Sequence, residues 1–141
     1  MHLTVDGRGA PMSHMTDLDF VYRFLDEFPE SVGMTKITHP HVLRYVGAQT
    51  EDWGLSGFVI IAESHISVHT FPERSYVNID VFSCKNFDTD RAAKEIKRIF
   101  GFVSIETHRL ERGIDYPHNV EQSKRLVQAE RGQLAHTGKA K

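Results

Sequence analysis

Apolar positions recur along this chain with two different periods, and the switches between them mark its elements. Alternation over residues 2–6 predicts a short first strand, which Gly7, Gly9 and Pro11 break. Leu18, Val21, Tyr22, Leu25 and Phe28 then recur at helical spacing behind Thr16 and Asp17, which can cap a helix start, and Pro29 falls near its end. Short strands are predicted over 34–37 and 42–46, on either side of Thr38-His39-Pro40-His41, and residues 48–54 read as a loop. The β-branched and apolar run 58–61 predicts a buried strand. A second strand over 66–70 stops at Pro72, and Val77, Ile79 and Val81 alternate with Asn78, Asp80 and Phe82 in a third. Asp88 opens another helix with Ala92, Ile96, Ile99 and Phe100 on one face, and Gly101 closes it. Val103, Ile105 and Thr107 give a last strand.

Strands outnumber crossover helices and run consecutively through the middle. That order predicts an α+β fold, a two-layer sandwich of a largely antiparallel β-sheet with helices on one face. One domain is expected over residues 1–117, followed by a polar tail, 118–141, with a helix around 120–130 and loose residues after 132.

Composition changes this picture little. The 141 residues suit one domain, and 40% hydrophobic with 26% charged residues are ordinary for a globular protein. A net charge of −2 gives no reason to expect nucleic acid or an anionic membrane as partner. No apolar run approaches the ~20 residues that span a bilayer, and the N-terminal residues lack signal-peptide character. A single cysteine makes a reducing cytoplasm the expected compartment.

The chemistry concentrates in Glu63-Ser64-His65, at the junction of two strand-like segments, with His69 five residues on and Cys84 twenty on. A serine hydroxyl there can attack the carbonyl of the residue before it, because covalent connection already supplies proximity. Strain in a bend at Glu63-Ser64 favours acyl transfer to an ester. Base-promoted elimination and hydrolysis then leave a pyruvoyl group at a new N-terminus. His69 suits the acid–base role, because an imidazole can both take up and give back a proton. Parity along an ideal strand puts Ser64 and His69 on opposite faces, so their proximity requires Ser64 to lie outside the regular pleat. His65 and His69 share a face at i and i+4, yet no cysteine or carboxylate cluster completes a metal site, and none is expected.

Four motifs sharpen this reading: Gly54-Leu55-Ser56-Gly57, Glu63-Ser64-His65, His69-Thr70-Phe71-Pro72-Glu73 and Asp80-Val81-Phe82-Ser83-Cys84. In this order and spacing they resemble the prokaryotic S-adenosylmethionine decarboxylase proenzyme family. Weaker similarity covers most of residues 2–116. The resemblance implies a cut between residues 63 and 64, giving a β chain of 1–63 and an α chain of 64–141, with Ser64 becoming the covalent pyruvoyl cofactor. It implies that His69, assisted by Ser56, moves protons during processing, and that Cys84 reprotonates the substrate carbanion after decarboxylation. Glu73 falls at the position associated with the substrate ribose. Phe71 stands where the family carries tryptophan, and the usual adenine-stacking aromatic is absent near Gln49-Thr50, leaving Trp53 as the nearby substitute.

The expected function is therefore pyruvoyl-dependent decarboxylation of S-adenosylmethionine for spermidine synthesis. By the same resemblance, small members pair into dimers with active sites at or near the interface. Three alternatives stay open. Glu51 and Asp52 would suit a cationic substrate, arginine or ornithine, on the same scaffold. A non-catalytic homologue that regulates an active partner is a second, and a small histidine-rich metal-binding module a third.

Overall fold

A computed structural model describes residues 1–49, 51–62 and 64–112. The polar tail and the helix expected around 120–130 lie outside the described residues. Among the described residues six strands form one sheet in the order β2-β3-β4-β5-β1-β6, and every neighbouring pair is antiparallel. They are β1 His2–Arg8, β2 His41–Val46, β3 Trp53–Ile61, β4 Ser64–Phe71, β5 Tyr76–Ser83 and β6 Ser104–Leu110. Among the described residues three α-helices accompany them: α1 Met12–Thr16, α2 Leu18–Ser31 and α3 Thr89–Phe100. The α+β two-layer expectation holds. Among the described residues, no helix is long and apolar enough to cross a membrane.

One face of the sheet carries the core. Leu3 and Val5 of β1, Leu55, Val59 and Ile61 of β3, Ile66 and Val68 of β4, and Val77, Ile79 and Val81 of β5 are all fully or almost fully buried. They meet Val21, Leu25 and Phe28 of α2 and Ala92, Ile96 and Phe100 of α3. Alternate residues point to the other, open face, which no helix covers among the described residues. Both main helices start as their sequences dictate. The Asp17 carboxylate accepts the Asp19 N–H at 2.9 Å, and the Asp88 carboxylate accepts the Arg91 N–H at 2.9 Å. Gly101 ends α3 with φ of 68°, the left-handed conformation glycine favours there.

Several boundaries differ from the periodicity. β1 runs on through Gly7, where the Phe102 ring fills the space a side chain would need. β3 begins at Trp53 rather than residue 58, because Gly54 and Gly57 weaken the strand signal while serving close packing. A Cβ at Gly54 would overlap the Thr70 carbonyl, and one at Gly57 would press on Leu25. The strand expected over 34–37 reduces to a single bridge between Lys36 and Ile61. The five-residue α1 had no apolar period long enough to announce it.

Candidate active site

β3 and β4 form a tight hairpin. Ile61 pairs with Ser64, so only residues 62 and 63 connect the strands. On its other side Ser64 pairs with Ser83, which brings Cys84, one residue past the end of β5, to the same end of the sheet. Along β4 the side chains alternate strictly: Ile66, Val68 and Thr70 are buried towards the helices, whereas His65, His69 and Phe71 are exposed. Ser64 has the parity of the buried set. Its Oγ is buried and has no hydrogen-bond partner among the described residues. An unpartnered buried hydroxyl costs about 1–3 kcal/mol, so such a group calls for a reason.

Here the sequence reading needs correction. It required Ser64 to leave the regular pleat so that His69 could reach it, yet Ser64 sits in the ladder on both sides. The two stand five steps apart along β4, about 17 Å at ~3.4 Å per residue, and they face opposite ways. Within one chain Ser64 and His69 do not meet. Cys84 and Ser64 share one end of β4, and Glu63, itself outside the described residues, adjoins Ser64 in sequence.

The other end of β4 assembles a second group. Ser56 pairs with His69 across the β3–β4 ladder, and its Oγ lies 3.0 Å from His69 Nδ1. Behind them the buried Thr70 hydroxyl accepts the Leu55 N–H and donates to the Met15 carbonyl, each at 2.8 Å. That bridge ties β3, β4 and α1 together directly beneath the Ser56–His69 pair. Pro72 then turns the chain into a single 3-10 turn, Pro72–Arg74, which carries Glu73 back over the start of β3. Trp53 Nε1 donates to Glu73 Oε1 at 3.0 Å.

A cavity of about 320 Å³ opens beside this group, with Ser56 and His69 in its lining and Trp53, Phe71 and Tyr45 as aromatic walls. The structure thus brings together five residues singled out from sequence: Ser56, His69, Phe71, Trp53 and Glu73. The Arg44 guanidinium lies 4.5 Å from the Trp53 ring centroid, which occupies one of its faces. Asp52 also lines the cavity and stands 3.5 Å from Arg74, so its charge already has a partner. Tyr45 and Thr70 escaped the sequence reading. Tyr45 lies on the edge strand β2, where no motif marks it, and Thr70 stands within the His69–Glu73 motif without a role of its own in the sequence.

The open face between the two groups is mixed in character. His2 Nε2 lies 3.0 Å from Asp80 Oδ1, and the Asn78 amide donates to Asp6 Oδ1 at 2.6 Å and to the Tyr76 hydroxyl at 3.0 Å. Phe58, Leu43 and Tyr45 are exposed beside them.

Comparison with known proteins defines the class as a decarboxylase, a carbon–carbon lyase. The model of the family described as S-adenosylmethionine decarboxylase matches residues 1–113. The chain belongs to the S-adenosylmethionine decarboxylase family. It is 33% identical over 114 residues to an S-adenosylmethionine decarboxylase proenzyme from Geobacillus kaustophilus, covering 80% of this chain and 86% of that one. A proenzyme of the same name from Clostridium botulinum is 30% identical over 113 residues, covering 79% and 92% of the two chains. The crystal structure of the adenosylmethionine decarboxylase from Aquifex aeolicus superposes with a TM-score of 0.68 at 26% identity, over 84% of this chain and 94% of that one.

Proposed function

We propose that this chain is a proenzyme that cuts itself between Glu63 and Ser64 and then decarboxylates S-adenosylmethionine, supplying the aminopropyl donor for spermidine. The observation that carries the reading is the buried Ser64 hydroxyl, without a hydrogen-bond partner among the described residues, immediately after a two-residue hairpin connection. In the first step Ser64 Oγ attacks the Glu63 carbonyl carbon. The bond from that carbon to the Ser64 nitrogen breaks, and the proton moves from oxygen to nitrogen, leaving an ester and a free amine. Removal of the Ser64 Cα proton then expels the Glu63 carboxylate. Hydrolysis of the resulting enamine releases ammonia and leaves the pyruvoyl group on the α chain, 64–141.

Ser64 and Cys84 fit that group: a hydroxyl without a partner among the described residues generates it, and a thiol lies at the same end of the sheet. When present, the pyruvoyl carbonyl supplies an electron sink for decarboxylation. Cys84 returns a proton to the substrate's α-carbon. Trp53, held by Glu73, and Phe71 line the cavity that accepts the adenosyl part, with Glu73 towards the ribose.

The two groups at opposite ends of β4 are joined in a dimer. The open face of the sheet, with exposed Leu43, Tyr45 and Phe58, is the surface we assign to a second copy. A twofold axis lying across the strands reverses their direction, and so sets the Ser64 end of one protomer over the His69 end of the other. Each site then places the partner's Ser56 and His69 over the end of β4 that carries Ser64 and Cys84, and Ser64, the first residue of β4, must turn from the helix face to the open face to reach them. The cytoplasm is the compartment we assign, in keeping with a single cysteine.

The test is direct. Purified protein supplied with S-adenosylmethionine should release carbon dioxide and form the decarboxylated product, and Ser64→Ala should stay whole and release none. Efficient cleavage of Ser64→Ala would overturn the reading.

A further inference from the structure

Beyond His41, where β2 stops pairing with β3 at Phe58, the outer edge of β3 is taken over by a short segment that belongs to no strand. The Ile37 N–H donates to the Ile60 carbonyl at 3.0 Å, and the Ala62 N–H donates to the Thr35 carbonyl at 2.7 Å. Between these, Lys36 bridges to Ile61, and the Ile60 N–H donates to Thr38 Oγ1 at 3.2 Å. The segment is anchored in turn. The Lys36 ammonium is paired with the Asp26 carboxylate of α2 and donates to the Asp26 carbonyl at 3.2 Å.

These contacts end one residue short of Glu63. Ala62 is held by Thr35 on the upstream side, and Ser64 is held by Ile61 and Ser83 on the downstream side. We infer that residues 35–38, anchored by Lys36 on Asp26, form a clasp that holds the end of β3 through Ala62 and thereby sets the rate of self-cleavage between residues 63 and 64. The inference rests on the self-cleavage reading above and deepens it by naming positioning residues. The physical reason is proximity: an attack within the chain is fast only while carbonyl and hydroxyl stay in register, and a misplacement of ~1 Å costs about 10²-fold in rate. Without the clasp, the last residues of β3 would be paired on the β4 side alone, and the chain leading out of Ala62 would be held less firmly. Thr38 is the pivotal side chain, because its hydroxyl, rather than a carbonyl, receives the Ile60 N–H.

The experiment follows self-cleavage of freshly made protein on a denaturing gel, with folding monitored by thermal melting. Thr38→Val removes the acceptor while keeping the shape, Thr38→Ser keeps the acceptor, and Lys36→Met removes the anchor. Thr38→Val and Lys36→Met should each cleave about tenfold slower than wild type, and Thr38→Ser should cleave near the wild-type rate. Hydroxylamine, which severs esters, should fail to restore Thr38→Val, because the clasp acts before the ester forms. Should Thr38→Val not fold, Lys36→Met carries the same comparison. Wild-type rates in both folded variants would overturn the clasp. Rapid hydroxylamine cutting of the slowed variants would do so too, since ester would then be accumulating normally. A wild-type chain that never cleaves would instead overturn the processing reading itself.

Discussion

If each site is shared between two chains, inactivating His69 in one chain and Ser64 in the other should restore processing in the mixed dimer. The structure supplies the magnitude. General acid–base catalysis works across about 3 Å, whereas Ser64 and His69 of one chain stand about 17 Å apart on opposite faces of β4. Bringing them together within a chain would unzip the strand and expose the fully buried Ile66 and Val68. That exposure alone costs ~3–6 kcal/mol, leaving the opened state at about one molecule in 10² to 10⁴. His69→Ala and Ser64→Ala, expressed separately, should therefore both remain largely whole. Co-expressed in equal amounts with different tags, about half of the His69→Ala chains should find a Ser64→Ala partner. Those chains keep their own Ser64 and receive the partner's His69, so about half of the His69→Ala population should be cut and none of the Ser64→Ala population. Isolating the mixed dimer through both tags should raise the cut fraction towards completion. An isolated mixed dimer in which His69→Ala stays whole would refute the shared site.

Other substitutions probe single contacts. Cys84→Ala should process normally while kcat falls about 10²-fold, read by steady-state carbon dioxide release; a wild-type kcat would place the proton donor elsewhere. Trp53→Phe deletes the hydrogen bond to Glu73 and should raise KM about tenfold with kcat little changed, because that bond shapes the binding cavity and not the reacting atoms. An unchanged KM would remove Trp53 from the cavity's working wall. Gly54→Ala places a methyl group against the Thr70 carbonyl and should cost ~3 kcal/mol, seen as a lower melting temperature.

How far the sequence carried this account varied with the kind of signal. Strands with β-branched alternation, such as Val77, Ile79 and Val81, and helices with capped amphipathic runs were legible, because one buried face imposes one period. The start of β3 was not, since Gly54 and Gly57 are there to let a neighbouring backbone and Leu25 approach, a need that exists only in three dimensions. The Ser56–His69 pair was legible as a motif, and the register of β3 on β4 gives it geometry. The opposite is true of Ser64 and His69: motif order groups them, and the strand between them acts as a ruler that holds them apart. Thr35, Lys36 and Thr38 read as a plain strand or loop, because their contacts are with backbone groups of β3 that carry no sequence signature.

The central claim is that Ser64 makes the cofactor by cutting the chain, and the mass of the intact purified protein tests it most directly. The account predicts two fragments, residues 1–63 with an ordinary carboxyl end and residues 64–141 lighter than the serine-started peptide by one ammonia, as a pyruvoyl terminus requires. A single uncut species of 16.1 kDa after prolonged incubation would contradict it, as would a fragment beginning with an unaltered serine.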